Sequence, residues 1–161
     1  VLNGQSCVFE DSAGSGKKLD LGSISDIEIT AQDGWNTGVE YIYSPCRNAH
    51  DCIYQNSDYA EAMVYQTMPD DSCASIALFD ETQPLYNSTL KIWKFEYHNG
   101  HNCTYKDGNR TSRTLQLEFV CNKEIEHELL FAQEPLSCVY QFIVATSLAC
   151  VDSTDGNSDS L

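Results

Sequence analysis

An all-β fold, built as a sandwich or flattened barrel, is what this chain predicts, and three observations predict it. Its apolar residues come in short runs, alternating or continuous, and nowhere in a long stripe of period 3.6. Turn formers separate those runs, with Asp33-Gly34, Asn99-Gly100 and Asp107-Gly108 the strongest dipeptides. Eight cysteines are spread along 161 residues without a single C-x-x-C pair, which favours four disulfides over a zinc ribbon or a thioredoxin-type site. Cys46, His50 and Cys52 have ligand chemistry, but no matching second half of a four-ligand metal set follows them.

Taken in order, the chain opens with a flexible loop, Ser12-Ala13-Gly14-Ser15-Gly16. Strands are expected at residues 24–30, 40–43, 60–68, 74–79, 90–97, 114–121 and 138–146. Their number and spacing suit a sandwich or barrel. Residues 1–150 read as one domain, and the polar, acidic residues 151–161 as a disordered tail that would, if the natural protein continues, be a spacer to another domain or a membrane anchor. No run of 18 apolar residues occurs, so no membrane-spanning helix is expected. The start, Val1-Leu2-Asn3-Gly4, is that of a mature or trimmed chain without an apolar leader.

An oxidised chain belongs in the secretory pathway or outside the cell. Three N-x-S/T sequons, at Asn87, Asn102 and Asn109, agree with that compartment; the middle residue of the second is Cys103. The formal charge of −15, from 24 acids and 9 bases, disfavours nucleic acid or an anionic membrane as partner. No EF-hand spacing is present, and neither a metal nor a cofactor is expected.

Strand parity places the polar candidates, because residues two apart share a face. Gln66 lies with Ala60, Ala62, Val64 and Met68 on one face. Leu115, Leu117, Phe119 and Cys121 share another, which extended back by one step reaches Arg113. Tyr140 lies with Phe142 and Val144, and the opposite side of that strand is apolar too, so it should be central rather than an edge. Buried polar groups need partners, since leaving one unpaired costs about 1–3 kcal/mol. A lone Gln or Tyr usually finds its partner in the backbone or another side chain. Arg113 shifts the balance toward a polar pocket at the barrel mouth, because a guanidinium with five donors is seldom buried merely to hold a fold. Trp35 and Trp93 are expected in the core.

The later part of the chain resembles the mannose 6-phosphate receptor homology domain. The family's ordered signature is an Arg before a strand ending in Cys, then Glu, Cys-x-Tyr and finally Ala-Cys. It is similar to Arg113, Cys121, Glu134, Cys138, Tyr140 and Ala149-Cys150, with Gln66 as the upstream glutamine and 97–103 as the loop before the fifth cysteine. The specific motifs cover about residues 60–150. The resemblance implies a flattened β-barrel of two mainly antiparallel sheets, with disulfides Cys7–Cys46, Cys52–Cys73, Cys103–Cys138 and Cys121–Cys150. It implies a mannose site in which Gln66 and Arg113 hold the axial 2-hydroxyl while Glu134 and Tyr140 take the 3- and 4-hydroxyls. A fixed array of donors and acceptors rejects an epimer, because a misplaced hydroxyl leaves a buried group unpaired. His101 and Asn102 are candidate phosphate contacts; an exposed loop histidine is the equal alternative. Some members place a cation-holding Asp where this chain has Gly100.

The expected function is therefore a mannose or mannose 6-phosphate lectin, the luminal part of a receptor sorting glycoproteins of the lysosomal-hydrolase kind. Golgi, endosome, lysosome or the cell exterior is its place, and dimerisation would add avidity. A protein-interaction module on the same fold is the alternative. A secreted hydrolase ranks last: acids are plentiful, but G-x-S-x-G, H-E-x-x-H and P-loop patterns are missing.

Overall fold

The computed structural model describes residues 7–48, 50–54, 58–70, 72–104 and 108–151, with residues 50–54 and 58–61 described as backbone only. Two sheets face each other across one core. The smaller has four strands in the order β3 (Ile29–Gln32), β4 (Glu40–Tyr43), β7 (Val64–Thr67) and β8 (Cys73–Ala77). The larger has five, ordered β14 (Glu128–Leu136), β15 (Val139–Thr146), β13 (Thr114–Cys121), β10 (Ile92–Tyr97) and β9 (Leu85–Asn87). Three hairpins flank them: β1 (Val8–Glu10) with β2 (Lys18–Asp20), β5 (His50–Tyr54) with β6 (Asp58–Ala62), and β11 (Asn102–Thr104) with β12 (Arg110–Ser112). Among the described residues every pairing is antiparallel except that of β13 with β15.

Alternation explains why these segments are strands. In β13 the buried residues are Leu115, Leu117 and Phe119, and in β15 they include Tyr140, Phe142 and Val144. β10 contributes Trp93, Phe95 and Tyr97 to the same layer, and β4 answers from the other sheet with Tyr41 and Tyr43. The layers interlock edge to face: Tyr41 lies 5.2 Å from Phe142 between ring centres, and Tyr43 lies 6.1 Å from it. Each such fully buried large side chain contributes about 1.5–3 kcal/mol. β15 has neighbours on both sides, as its two apolar faces require.

Disulfides join Cys7 to Cys46, Cys103 to Cys138 and Cys121 to Cys150. Cys73 is also disulfide-bonded. The side chain of its expected partner, Cys52, lies outside the described residues, as does the tail 152–161.

Several expectations are corrected. The first long strand does not run through 24–30: Gly22–Ile24 is a 3-10 turn, and β3 starts only at Ile29. The run 60–68 is two strands, broken at Met63, whose N–H bonds Ala77 O and whose carbonyl accepts from Ser44 N. β10 begins at Ile92 because Lys91, at φ 58°, closes a tight turn with Lys91 N on Asn87 O. Trp93 is fully buried, but Trp35 is 62% exposed on a turn, so only one of the two tryptophans belongs to the core.

Candidate functional site

A cavity of about 230 Å³, of mixed polar and apolar lining, opens at one end of the barrel between Gln66, Met68, Ser72, Cys73, Ala74, Cys103, Arg113, Glu134 and Tyr140. The four residues singled out in the sequence thus meet in one wall, brought there from four separate segments.

Parallel pairing delivers two of them. β13 and β15 align Leu115 with Tyr140, so Arg113, one residue ahead of β13, emerges beside the tyrosine ring. Arg113 Nε donates to Tyr140 Oη at 3.1 Å. Tyr140 in turn donates to Gln66 Oε1 at 3.3 Å, reaching across to the smaller sheet. Gln66 and Tyr140 are both buried, so these bonds also satisfy groups that would otherwise be orphaned. Burial pushes the Tyr140 phenol up to about 12; the neighbouring Arg113 charge opposes that rise and Glu134 adds to it. At neutral pH the phenol keeps its proton and can both donate and accept.

Glu134 arrives by a distortion. β14 slips register against β15 twice, between Leu129 and Phe131 and again between Gln133 and Leu136, and Glu134 sits in the second irregularity. Cys138 N donates to Glu134 Oε2 at 2.8 Å, fixing the carboxylate at the turn between β14 and β15. Cys138 itself adopts φ 70° and is tied to Cys103, another pocket residue.

The loop before the fifth cysteine is stitched between β8 and Arg113. Gly100 N bonds Arg113 O, Arg113 N bonds His101 O, and His101 N bonds Ser75 O. Ser75 N returns a bond to His101 Nδ1 at 2.8 Å, so that nitrogen is an acceptor and the ring is turned toward β8. Arg113 Nη1 bonds the carbonyls of Asn102 (2.7 Å) and His101 (3.3 Å). His101 and Asn102 therefore meet Arg113 through their backbone, and neither side chain is among those lining the cavity. A Cβ on Gly100 would lie 2.8 Å from both Ser75 O and Arg113 Cβ, and closer still to the Ile76 carbonyl oxygen. Only glycine fits there, which explains why this chain has no aspartate at that point.

Behind the wall stands a layer the sequence reading missed. Tyr41, opposite Gln66 in the β4–β7 pair and 6.0 Å from Tyr140 between ring centres, donates its hydroxyl to Asp33 Oδ2. Burial, reinforced by the Asp33 carboxylate, holds that phenol far above its ordinary range. The only signal for it was the Asp33-Gly34 dipeptide, read simply as a turn. Among the described residues, no three His, Cys, Asp or Glu side chains are grouped as metal ligands would be.

All three sequon asparagines, Asn87, Asn102 and Asn109, are exposed. No helix among the described residues is long and apolar enough to cross a membrane.

No protein-family model matches the chain, and no curated protein matches it. Solved structures do. Domain 11 of the echidna mannose 6-phosphate/insulin-like growth factor 2 receptor superposes with a TM-score of 0.57 at 17% identity, over 89% of this chain and 94% of that one. This chain has the mannose 6-phosphate receptor homology fold. The MRH domain of glucosidase II beta, solved bound to mannose, aligns at TM-score 0.45 and 19% identity over 80% of this chain and 97% of that one. The MRH domain of Yos9, solved with α3,α6-Man5, aligns at 0.47 and 17% over 79% and 78%. At these identities the likeness shows the fold alone.

Proposed function

We propose that this chain is a mannose-binding lectin module, recognising mannose-containing N-glycans on glycoproteins inside the secretory and endosomal pathway. The observation that carries the reading is the hydrogen-bonded run Arg113–Tyr140–Gln66 with Glu134 beside it in one pocket. It is an array of donors and acceptors held before any ligand arrives, so little ordering cost remains at binding. Gln66 and Arg113 take the axial 2-hydroxyl of mannose; Glu134 and Tyr140 take the 3- and 4-hydroxyls, the carboxylate as a charge-assisted acceptor. Glucose, with that hydroxyl equatorial, leaves the first pair unpaired.

Among the described residues the wall contains one carboxylate, Glu134, whereas glycoside hydrolysis ordinarily needs two flanking the bond, so binding without turnover is the reading. A single pocket of this size suits one sugar ring, with avidity supplied by multivalent glycans or a second copy. The role that fits is the ligand-recognising part of a receptor that sorts glycoproteins, with lysosomal-type hydrolases as cargo. A phosphate on mannose would meet the 101–102 segment beside Arg113.

A second reading, a protein-interaction module on the same fold, draws on a different observation. Trp35, Leu130, Phe131 and Leu136 are all substantially exposed, the last three on β14. A glycan array with phosphorylated and unphosphorylated high-mannose glycans, probed with wild type and Arg113→Ala, separates the two. Mannose-dependent binding lost in the variant supports the lectin. A correctly oxidised wild type silent on every mannose glycan overturns it and leaves the protein-partner reading.

A further inference from the structure

Asp33 is 8% exposed, an unusual place for a carboxylate, and the pocket wall does not contain it. Its Oδ1 accepts from Trp35 N at 2.7 Å, Asn36 N at 2.9 Å and Asn36 Nδ2 at 3.3 Å, which fixes the 33–36 turn. Asp33 N bonds Val39 O, closing the loop between β3 and β4. The other oxygen takes the hydroxyl of Tyr41, a residue with no exposed surface. The next residue, Gly34, donates its N–H to Ala132 O at 3.0 Å, pinning the same turn to β14 two residues before Glu134.

Three of the four pocket residues are thereby reached from this one carboxylate. Tyr41 is the strand partner of Gln66. Its ring meets Tyr140 edge to face, 6.0 Å between centres. The Gly34 bond sets the height of β14, and so of Glu134. Arg113 is held mainly by the backbone carbonyls of His101 and Asn102, and meets this layer only through its bond to Tyr140 Oη.

We infer that Asp33 is a positioning residue of the sugar pocket, acting through Tyr41 and β14 to hold Gln66, Tyr140 and Glu134 in binding geometry. The inference rests on the lectin reading of that pocket. Its physical basis is that an array of hydrogen-bonding groups selects a ligand only when their own orientation is locked from behind. Removing the Tyr41 hydroxyl leaves the ring in place but frees it to tilt, and with it the Tyr140 phenol. It also leaves a buried carboxylate oxygen short of a donor, loosening the turn that carries Gly34.

The test titrates methyl α-mannoside calorimetrically into wild type, Tyr41→Phe, Asp33→Ala and the double variant. Asp20→Asn is the control, since Asp20 is an exposed turn carboxylate that accepts from Gly22 N and does not line the pocket. Each single change is expected to weaken binding about tenfold, the scale on which groups behind a ligand shell tune affinity. The double variant should lose no more than the worse single one, because both remove the same link. Asp20→Asn should bind as wild type does. A purely structural Asp33 gives the opposite pattern: lower melting temperatures with unchanged affinity in the folded population, which overturns the inference. Should the variants fail to fold, the wild type still decides. The Tyr41 hydroxyl proton, shielded in its bond to Asp33, should give a slowly exchanging downfield NMR resonance that moves when mannoside saturates the pocket. A resonance that stays still at saturation refutes the coupling. If the wild type binds no mannoside at all, the lectin reading falls and takes this inference with it; binding with indifferent variants removes only the role of Asp33.

Discussion

Acidification should weaken this fold through His127, and the effect can be sized. The imidazole stacks on Tyr43, 6.0 Å between ring centres and 22° from parallel, with Phe119 on another side at 6.5 Å. Neither ring nitrogen has a hydrogen-bond partner among the described residues, and burial alone lowers its pKa from 6.5 to about 4. The folded value lies below the unfolded one, so the unfolded chain takes up the proton first. Stability is whole above about pH 7 and drains away as pH falls through the interval between the two values. At about pH 5 the full shift corresponds to a loss of about 2 kcal/mol. The ring is only half-buried, and water screening reduces this to about 1 kcal/mol. In a chain of this size that is about 2–4 °C in melting temperature. The assay is thermal or urea unfolding of wild type and His127→Phe at several pH values. Carboxylates destabilise both proteins in acid, so the difference between the two curves isolates the histidine. The gap should widen in favour of His127→Phe by about 1 kcal/mol between about pH 7.5 and pH 5. Curves that stay parallel over that range refute the reasoning.

Other predictions concern the pocket. Gly100→Ala should cost about 1–3 kcal/mol, the range for overpacking, and lower mannoside affinity as well, because the added methyl presses on Arg113 Cβ and two β8 carbonyls; unfolding and calorimetry read the two effects separately. Replacing Cys103 and Cys138 together by Ala should cost about 2–4 kcal/mol and abolish binding, since it unties the turn that presents Glu134. Replacing Cys121 and Cys150 should cost a similar amount yet leave the affinity of the folded fraction nearly intact, a contrast visible in paired melting and binding curves. Glu134→Gln should keep the Cys138 N–H bond but weaken binding about tenfold, as a charge-assisted acceptor becomes a neutral one.

Alternation carried much of this architecture into plain view. The buried faces of β13 and β15, the central place of β15 and the inward aim of Gln66 all follow from residues spaced by two. What stayed hidden breaks that rule. β14 reads Glu-Leu-Leu-Phe-Ala-Gln-Glu-Pro-Leu, with two register slips and a proline, so no period-two pattern marks it, although it carries Glu134. β9, β11 and β12 are three-residue strands, too short for any pattern. Trp35 looked like core because tryptophan usually is, whereas the Asp33 turn holds it outward. The Asp33–Tyr41 bond links two strands' worth of chain through side chains alone, and nothing local in the sequence announces it.

The parallel β13–β15 pairing sets a timetable for biosynthesis. β15 is the last of the described strands to be made yet lies between β14 and β13, so edge strand β14 stays cut off from the rest of the five-stranded sheet until residues 139–146 have left the ribosome. Tyr140 is on that strand, and the disulfide from Cys121 waits for Cys150. A nascent chain halted before residue 139 therefore carries Gln66, Arg113 and Glu134 but not Tyr140, and the pocket wall stays open. The four-residue wall is complete only once the last of the described strands is in place.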